Sequence, residues 1–327
     1  MTAPIAVTMG DPASIGPEIT QAAWEALKDG GPAFFVIGDP ALYGEAAGSI
    51  DTPQQAAKAF AKTLPVLPLE LTAEVKAGQP DIANAHAVIA SIDQAVALAG
   101  TGEAAGLVTN PISKSVLYSA GFSHPGHTEY VAELSRETPY VGPRGPVMML
   151  AGAKLRVALV SIHTGLRDAI DALDADAIIH TTRVVHHALQ CDFGISNPRL
   201  ALAGLNPHAG ESGSLGREEI TIISPAAEEL RREGIDISGP LPPDAMFHDE
   251  ARATYDAAIC LYHDQGLIPF KALDFWSGVN VTLGLPVIRT SPDHGTGFDI
   301  AGQGKARADS LIAAIRLAAE MADRRAA

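Results

Sequence analysis

The sequence is poor in several kinds of residue, and each shortage argues against a class of protein. Only two of its 327 residues are cysteines, Cys191 and Cys260, which lie far apart in apolar surroundings. This spacing disfavours a disulfide or a thiolate metal site and predicts two buried thiols in a reducing cytosol. No stretch approaches the roughly 18 uninterrupted apolar residues of a membrane span, and the N-terminal residues lack the pattern of an export signal. We therefore expect a cytoplasmic protein without membrane contact.

Basic residues are also scarce. The 23 Lys and Arg residues stand against 38 Asp and Glu residues, so the formal net charge is −15 at pH 7. Sequence-independent binding of nucleic acid or of anionic lipid depends on basic patches, and we expect neither partner. A phosphorylated ligand would need basic residues gathered at one place. The few basic residues in apolar or glycine-rich surroundings are therefore informative.

The familiar nucleotide and hydrolase motifs are missing as well. The segment 100–105, "GTGEAA", has G-x-G-x-x-A spacing, but it follows a helical pattern and precedes a strand. That order is the reverse of a dinucleotide-binding turn. The chain has neither a G-x-x-x-x-G-K-[ST] loop nor a G-x-S-x-G elbow. The first absence excludes a P-loop kinase, and the second removes the main support for an α/β serine hydrolase.

What the sequence does contain is an alternation of apolar runs and amphipathic stretches. The apolar, strand-like runs are 34–38, 106–110, 147–152, 155–161, 200–205, 257–262 and 279–284, and the helical patterns are 17–29, 84–99, 174–190, 217–233 and 305–323. This alternation predicts an α/β protein whose strands are covered by helices on both sides. The length fits about two domains. We predict a first domain of residues 1–125 plus 272–327 and a second of residues 126–271.

Polar clusters follow three of the predicted strands, and each cluster carries a histidine. His163 ends one strand, His208 follows a second and His263 ends a third. Ligands of open α/β sheets bind beyond the carboxyl ends of the strands, and a neutral imidazole is the commonest protein metal ligand. The pattern predicts an open divalent metal site, with histidines that are simply hydrogen-bonded in loops as the alternative.

A fourth polar cluster precedes a predicted helix. In "PGHTEYVAEL", His127 and Thr128 stand before a helix expected to begin near Glu129. Backbone N–H groups at a helix start favour an anion, so this pair could bind a phosphate or a carboxylate. The alternative is that Thr128 is a plain N-cap without a ligand.

Three further polar residues lie in apolar or glycine-rich stretches: Lys271, Asn280 and Arg289. A charge in such surroundings is costly unless it is paired. These residues therefore either pair with the surplus acidic groups or form the local cationic pocket that a phosphorylated ligand requires.

The segment 288–306, "IRTSPDHGTGFDIAGQGKA", is rich in glycine, follows a strand-like run and leads into a helix. Such turns usually hold phosphates. The alternative is a tight connection that needs glycine only for its backbone shape.

Several of these segments together resemble a known family. The segments "TMGDPASIGPEI", "LNPHAGESG", "YHDQGL" and "GVNVTLGLPVIRTSPDHGT" resemble the 4-hydroxythreonine-4-phosphate dehydrogenases of vitamin B6 (pyridoxal phosphate) synthesis, from residue 5 to about residue 306. The resemblance implies two α/β/α domains, as in isocitrate and isopropylmalate dehydrogenases, with the active site in the interdomain cleft at a homodimer interface. One departure is Ser14, where the commoner form has glycine; its bulk and φ preference concern only the first loop.

The resemblance also implies a reaction and the residues that perform it. The reaction is the NAD- or NADP-dependent oxidation of 4-phosphohydroxy-L-threonine, followed by decarboxylation to 3-amino-2-oxopropyl phosphate. One divalent ion, Zn²⁺, Mg²⁺ or Co²⁺, would be ligated by His163, His208 and, from the other subunit, His263. The phosphorylated substrate would be bound by His127, Thr128, Lys271, Asn280 and Arg289. The adenosine end of the cofactor would lie against His294, Gly295, Thr296 and Asp299. The general base is open among Asp244, Asp264 and Lys271.

Three other functions stay open. A catabolic enzyme acting on D-threonate or D-erythronate 4-phosphate would use the same residues, because only the amino group distinguishes the substrates. A non-catalytic metal- or phosphate-binding protein would bind ligands without hydride transfer. A metal-dependent phosphatase or aldolase would use the three histidines without NAD.

Overall fold

The computed structural model describes residues 3–326, which form two compact units. The first unit runs to Tyr140 and resumes at Leu285, and the second is Val141–Gly284. Residues 1, 2 and 327, which belong to the predicted first domain, lie outside the described residues.

The chain passes from one unit to the other later than the predicted boundaries near residues 125 and 272. The helix His127–Leu134 packs against the helix Ala85–Thr101 and so belongs to the first unit. The strand Val279–Leu283 pairs with Val147–Ala151 and so belongs to the second. These long-range contacts leave no local mark in the composition of the chain.

Strands and helices alternate along the chain, which confirms the predicted α/β class. The strands are β1 (Ile5–Thr8), β2 (Phe34–Gly38), β3 (Ala47–Ser49), β4 (Leu64–Pro68), β5 (Leu107–Val108), β6 (Val147–Ala151), β7 (Arg156–Leu159), β8 (Arg199–Ala203), β9 (Asp236–Leu241), β10 (Ala257–Cys260), β11 (Val279–Leu283) and β12 (Arg289–Pro292). The helices are α1 (Gly16–Leu27), α2 (Ala56–Ala59), α3 (Ala85–Thr101), α4 (Lys114–Ser119), α5 (His127–Leu134), α6 (Leu166–Asp171), α7 (Ala175–Cys191), α8 (Ser224–Arg232), α9 (Asp249–Arg252), α10 (His263–Leu273) and α11 (Asp309–Arg325). The predicted runs do not include β1, β3, β4, β9 or β12, and glycine or proline interrupts β3, β4 and β9.

The first unit is built on a parallel sheet in the order β3-β4-β2-β1-β5-β12. Every residue of β1 and β2 is buried, as expected for strands covered on both faces. Among the described residues, the segment Ile82–Thr101 is long and apolar enough to pass a composition test for a membrane span, as core helices commonly do. Its helix α3 packs on β1 and β2 of this sheet.

The second unit has a mixed sheet in the order β11-β6-β7-β10-β8-β9. Strand β6 is antiparallel to both of its neighbours, β11 and β7, whereas β7, β10, β8 and β9 run parallel to one another. Because β7, β10 and β8 are adjacent and parallel, their carboxyl ends meet at one edge of the sheet. The loops that leave this edge are the ones that carry the three candidate histidines.

The two cysteines differ in their exposure. Cys260 on β10 is buried, as predicted, but the prediction that Cys191 is buried is wrong. Cys191 is the last residue of α7, and its position falls outside the buried face that runs from Ile178 to Leu189. Its Sγ atom lies 3.7 Å from Nε2 of His187, one turn earlier on the exposed side.

Candidate functional site

Three histidines follow neighbouring parallel strands of the second unit. His163 follows β7, and His263 follows β10 as the first residue of α10. Their ring centroids are 5.9 Å apart, at an interplanar angle of 43°. His208 follows β8, which lies on the other side of β10. All three loops therefore leave the same edge of the sheet, as the positions of the strand ends predict.

Within one chain, these loops do not close a metal site. Among residues 3–326, no three His, Cys, Asp or Glu side chains come together as a group that could hold an ion. The structure thus pairs His163 with His263 but does not complete the trio with His208. The prediction that His263 is supplied by another subunit concerns two chains and stays a prediction.

Asp264 is placed to orient the imidazole of His263. Nδ1 of His263 lies 2.7 Å from Oδ1 of Asp264, whose side chain is otherwise exposed. When the carboxylate accepts a hydrogen bond from Nδ1–H, the lone pair of Nε2 is left for a ligand. Metal-binding histidines typically have such a carboxylate partner. This contact favours an orienting role for Asp264 over that of general base.

The loop that carries His208 has an unusual backbone. Residues 208–212 all have positive φ angles, including four that are not glycine: His208 (53°), Ala209 (51°), Glu211 (41°) and Ser212 (56°). Left-handed backbone costs such residues roughly 1–2 kcal/mol each. Strain of this kind persists only where the surroundings enforce it, and it concentrates at functional sites.

The remaining candidates of the second unit are Asp244, Lys271 and Asn280. Asp244 is exposed in the turn that follows β9, and Lys271 is partly buried in the last turn of α10. Nζ of Lys271 lies 5.2 Å from the ring centroid of Phe275. Asn280 on β11 has a buried Oδ1 atom with no hydrogen-bond partner among the described residues. Buried polar atoms are rarely left unpaired, so this oxygen favours a ligand donor.

The first unit holds a second polar cluster at the start of α5. The helix begins at His127 with Gly126 as its N-cap, so the reading of Thr128 as a plain N-cap is wrong. The Nε2 atom of His127 is buried and has no hydrogen-bond partner among the described residues. Burial lowers the pKa of His127 well below its usual range, and the positive charges of Arg289 and Lys114 lower it further. A neutral imidazole beside two cations leaves an electropositive place for an anion.

Arg289 is the cation at the centre of this cluster. It is the first residue of β12, and only 3% of its surface is exposed. Its Nε and Nη2 atoms donate to Oγ1 of Thr109 at 3.1 and 2.6 Å. Burial lowers the pKa of Arg289 to about 10, against the opposing influence of Glu129. The guanidinium therefore stays charged at neutral pH. An anion in addition to Glu129 would be stabilised beside it.

Sequence reasoning missed Lys114, the first residue of α4. A Cβ atom added at Gly126 would lie 3.4 Å from both Nζ of Lys114 and Oε2 of Glu129, so the lysine reaches the start of α5. The sequence contains a signal for it, because "TNPISK" (109–114) is a polar cluster at the end of the predicted strand 106–110. The same rule identified the three histidine loops.

Burial of His127 also makes a prediction about stability. Its folded pKa lies below the ordinary value of 6.5, so the unfolded chain takes up a proton at a higher pH than the folded chain does. Stability should therefore fall as the pH drops below about 6.5.

The substitution His127→Gln removes this titration. In urea unfolding at pH 7 and pH 5, we expect the variant to lose less unfolding free energy between the two pH values than the wild type loses. An equal loss in both proteins would contradict the neutral, buried state of His127. The variant His86→Gln, at a titratable residue on the exposed side of α3, serves as the control.

The glycine-rich segment connects β12 to α11, as predicted, and it packs on the first loop. The N–H of Ile15 donates to the carbonyl of Thr296 at 2.9 Å, and the N–H of Gly304 donates to Oε2 of Glu18 at 3.1 Å. Gly297 has a φ of 54°, and a Cβ atom there would lie 3.0 Å from Cγ2 of Ile15. This close approach explains one of the glycines without a nucleotide.

The four predicted cofactor-binding residues all lie in this segment. His294 and Thr296 are partly buried, whereas Gly295 and Asp299 are exposed. Whether they bind a cofactor stays a prediction.

Ser14 fits the first loop without strain. Its hydroxyl donates to the carbonyl of Asp11 at 2.6 Å and accepts from the N–H of Gly16 at 2.9 Å. Its backbone lies outside the left-handed region. The replacement of glycine therefore adds a small hydrogen-bonded bridge to the loop.

A cavity of about 650 Å³ opens beside the same loops of the first unit. Its lining includes three acidic residues, Glu18, Asp39 and Glu74, together with Ser14 and Gly302. Among residues 3–326, no lysine or arginine lines it. The cavity is therefore electronegative, in contrast to the cluster around His127.

Comparison with known proteins agrees with these features. Residues 32–318 match the family model for "Pyridoxal phosphate biosynthetic protein PdxA". A 4-hydroxythreonine-4-phosphate dehydrogenase of Caulobacter vibrioides is 56% identical over 327 residues, covering 98% of both chains. One from Maricaulis maris is 53% identical, covering 99% of this chain and 98% of the other.

A solved structure has the same fold. The 4-hydroxythreonine-4-phosphate dehydrogenase of Klebsiella pneumoniae is 37% identical, with a TM-score of 0.85 and coverage of 98% of each chain. The similarity thus extends over nearly the whole chain in sequence and in backbone. The chain belongs to the PdxA family, the 4-hydroxythreonine-4-phosphate dehydrogenases of pyridoxal phosphate biosynthesis.

Proposed function

We propose that the protein oxidises the secondary hydroxyl of 4-phosphohydroxy-L-threonine and transfers the hydride to NAD⁺. The product, 2-amino-3-oxo-4-phosphooxybutanoate, is a β-keto acid that loses CO₂ to give 3-amino-2-oxopropyl phosphate. The observation that carries this assignment is the unpartnered Nε2 of His127 beside buried Arg289, which suits a phosphate monoester. Family membership supplies the class of reaction, an oxidation that uses a nicotinamide cofactor and a divalent metal.

The phosphate of the substrate would lie at the start of α5. Arg289 offers a planar fork of N–H donors, Lys114 adds a second positive charge, and His127 adds a neutral imidazole. The backbone N–H of Thr128 lies in the first turn of the helix, where donors have no partner within the helix. These groups would fix the phosphate end of the substrate.

The residues of the second unit would handle the reacting end. Asn280 has a buried, unpartnered amide oxygen that would accept a hydrogen bond from the ammonium or a hydroxyl of the substrate. A charged Lys271 would attract the carboxylate and leave Asp244 to take the proton that the hydroxyl loses, whereas a neutral Lys271 would take that proton itself. Asp264 would instead hold the ring of His263 in place.

The imidazoles of His163, His208 and His263 form a donor set that suits a first-row divalent ion such as Zn²⁺ or Co²⁺, and Mg²⁺ less well. Such an ion would act as a Lewis acid both in the oxidation of the hydroxyl and in the decarboxylation. We propose that the protein is a homodimer in which His263 of the partner subunit completes each site.

The acidic cavity leads us to propose NAD⁺ rather than NADP⁺ as the preferred cofactor. We propose that the adenosine end of the cofactor enters this cavity. The 2′-phosphate of NADP⁺ carries about two negative charges at neutral pH, and there it would meet Glu18, Asp39 and Glu74, with no lysine or arginine among the described lining residues. We expect kcat/KM to be at least about tenfold higher with NAD⁺, which corresponds to about 1.4 kcal/mol. Initial rates of NADH and NADPH formation measure this ratio. Equal rates, or a preference for NADP⁺, would contradict the proposal.

The choice of substrate is tested by comparing 4-phosphohydroxy-L-threonine with D-erythronate 4-phosphate. Both compounds carry the phosphate, a hydroxyl and the carboxylate, but only the first has the amino group. We expect a higher kcat/KM for the amino compound, with 3-amino-2-oxopropyl phosphate identified by mass spectrometry. A preference for D-erythronate 4-phosphate would move the enzyme to sugar-acid catabolism while leaving the site unchanged.

A further inference from the structure

We propose that Glu219 is a positioning residue that holds the loop of His208 in its metal-binding conformation. This inference rests on the proposed role of His208 as a metal ligand. Glu219 follows the loop in the next helical turn and is one of the few buried acidic residues among those described, with 3% of its surface exposed.

The carboxylate of Glu219 accepts hydrogen bonds from the residues just before His208. Its Oε1 atom accepts from the backbone N–H groups of Leu205 and Asn206 at 2.8 and 2.7 Å. Its Oε2 atom accepts from Nδ2 of Asn206 at 2.9 Å. Burial by itself would raise the pKa of Glu219, but the hydrogen bonds from Asn206 and Leu205 lower it. The hydrogen bonds to this carboxylate therefore hold Leu205 and Asn206, the residues that enter the loop, in place.

The left-handed part of the loop wraps closely around the same carboxylate. A Cβ atom added at Gly210 would lie 2.5 Å from Oε2 of Glu219, and one at Gly204 would lie 3.3 Å from Oε1. Gly210 also has a φ of 80°, where glycine is favoured. The two glycines thus let the chain pass over the carboxylate before and after His208.

The carboxylate itself is anchored in the core of the second unit. Glu219 opens the helical turn Glu219–Ile223, which continues directly into α8. Ile223 and Leu230 of this stretch are fully buried, and α8 packs on α7 and β9. The residues of the left-handed turn have little intrinsic preference for this backbone conformation. We infer that the anchored carboxylate, rather than the loop itself, sets where the His208 ring stands.

The neighbouring Glu218 provides a matched control. Its Oε2 atom accepts from the side chain of Asn206 at 2.7 Å, and the residue is partly exposed. Glu218→Gln and Glu219→Gln remove the same charge from adjacent positions of one turn. Of the two carboxylates, only that of Glu219 accepts from the backbone N–H groups of Leu205 and Asn206 at the loop entry.

The experiment measures Co²⁺ binding to the full-length protein after its metal has been removed. Isothermal titration gives the affinity, and the visible absorption of bound Co²⁺ reports the ligand geometry independently of catalysis. We expect Glu219→Gln to weaken binding by roughly tenfold or more, within the range for residues that support metal ligands, and to change the spectrum. Glu218→Gln should bind as the wild type does. Circular dichroism and NADH binding check that each variant is folded.

The outcomes separate this inference from the proposed function. If His208→Ala binds Co²⁺ as tightly as the wild type, the metal role of His208 fails, whatever Glu219 does. If His208→Ala loses binding but Glu219→Gln keeps wild-type affinity and spectrum, the positioning role is overturned alone. Should Glu219→Gln not fold, Glu219→Asp takes its place, because the shorter carboxylate reaches fewer of the three donors. Wild-type binding by that variant would equally overturn the proposal.

Discussion

The substitution Arg289→Gln is expected to lower kcat/KM for the phosphorylated substrate by roughly 30-fold to several thousandfold, which corresponds to a loss of about 2–5 kcal/mol. The reason is that Arg289 is almost fully buried and positively charged beside the unpartnered Nε2 of His127. A bound phosphate would lose its main counter-charge in a place that water reaches poorly. The measurement is steady-state kinetics at several substrate concentrations, with the loss expected largely in KM.

Two further variants separate phosphate binding from a general effect on the fold. Arg289→Lys keeps the charge but loses the planar fork that also donates to Thr109, so an intermediate loss is expected. Arg316→Gln makes the same Arg-to-Gln substitution on the exposed face of α11 and should leave the kinetics unaltered. Inorganic phosphate should inhibit the wild type competitively and Arg289→Gln much less. Wild-type kcat/KM in Arg289→Gln would remove Arg289 from the substrate site.

Mixing two inactive variants is expected to restore activity. We expect His208→Ala and His263→Ala each to abolish metal-dependent turnover when tested alone. If each site takes His208 from one subunit and His263 from the other, a dimer of the two variants has one site with both defects and one intact site. Random exchange makes half of the dimers mixed, so about a quarter of the wild-type activity should return.

The same experiment distinguishes a site within one chain. The rings of His163 and His263 already lie 5.9 Å apart in a single chain, which is the geometry that such a site would extend. In that case every site in the mixture carries one defect, and no activity returns. Mixing His163→Ala with His208→Ala is the control, because both changes then fall in the same half-site and neither arrangement is rescued.

Much of the candidate site follows from where polar residues stand relative to apolar runs. His163, His208 and His263 were placed at one sheet edge because each follows a strand, and β7, β10 and β8 do lie side by side. The order of those strands in the sheet is a non-local property, however, and local patterns do not contain it. The assignment of roles to single residues came from the resemblance to a family rather than from spacing.

Other features were beyond local reasoning for identifiable physical reasons. The left-handed turn at residues 208–212 is invisible because four of its residues are not glycine, and a buried carboxylate from a later helix supports it. The exposure of Cys191 depends on which face of α7 meets the sheet, and an apolar neighbourhood in sequence misjudged it. Lys114 was overlooked although its position after a strand obeys the rule that identified the histidines.

The measurement that tests the central claim most directly follows absorbance at 340 nm with purified protein, NAD⁺ and 4-phosphohydroxy-L-threonine. The protein is assayed as purified, after removal of metal by a chelator, and after Zn²⁺, Co²⁺ or Mg²⁺ is returned. We expect NADH to form, to stop forming after chelation and to resume when a divalent ion is added. No NADH under any of these conditions, from protein that still binds Co²⁺ and inorganic phosphate, would contradict the proposed dehydrogenase activity.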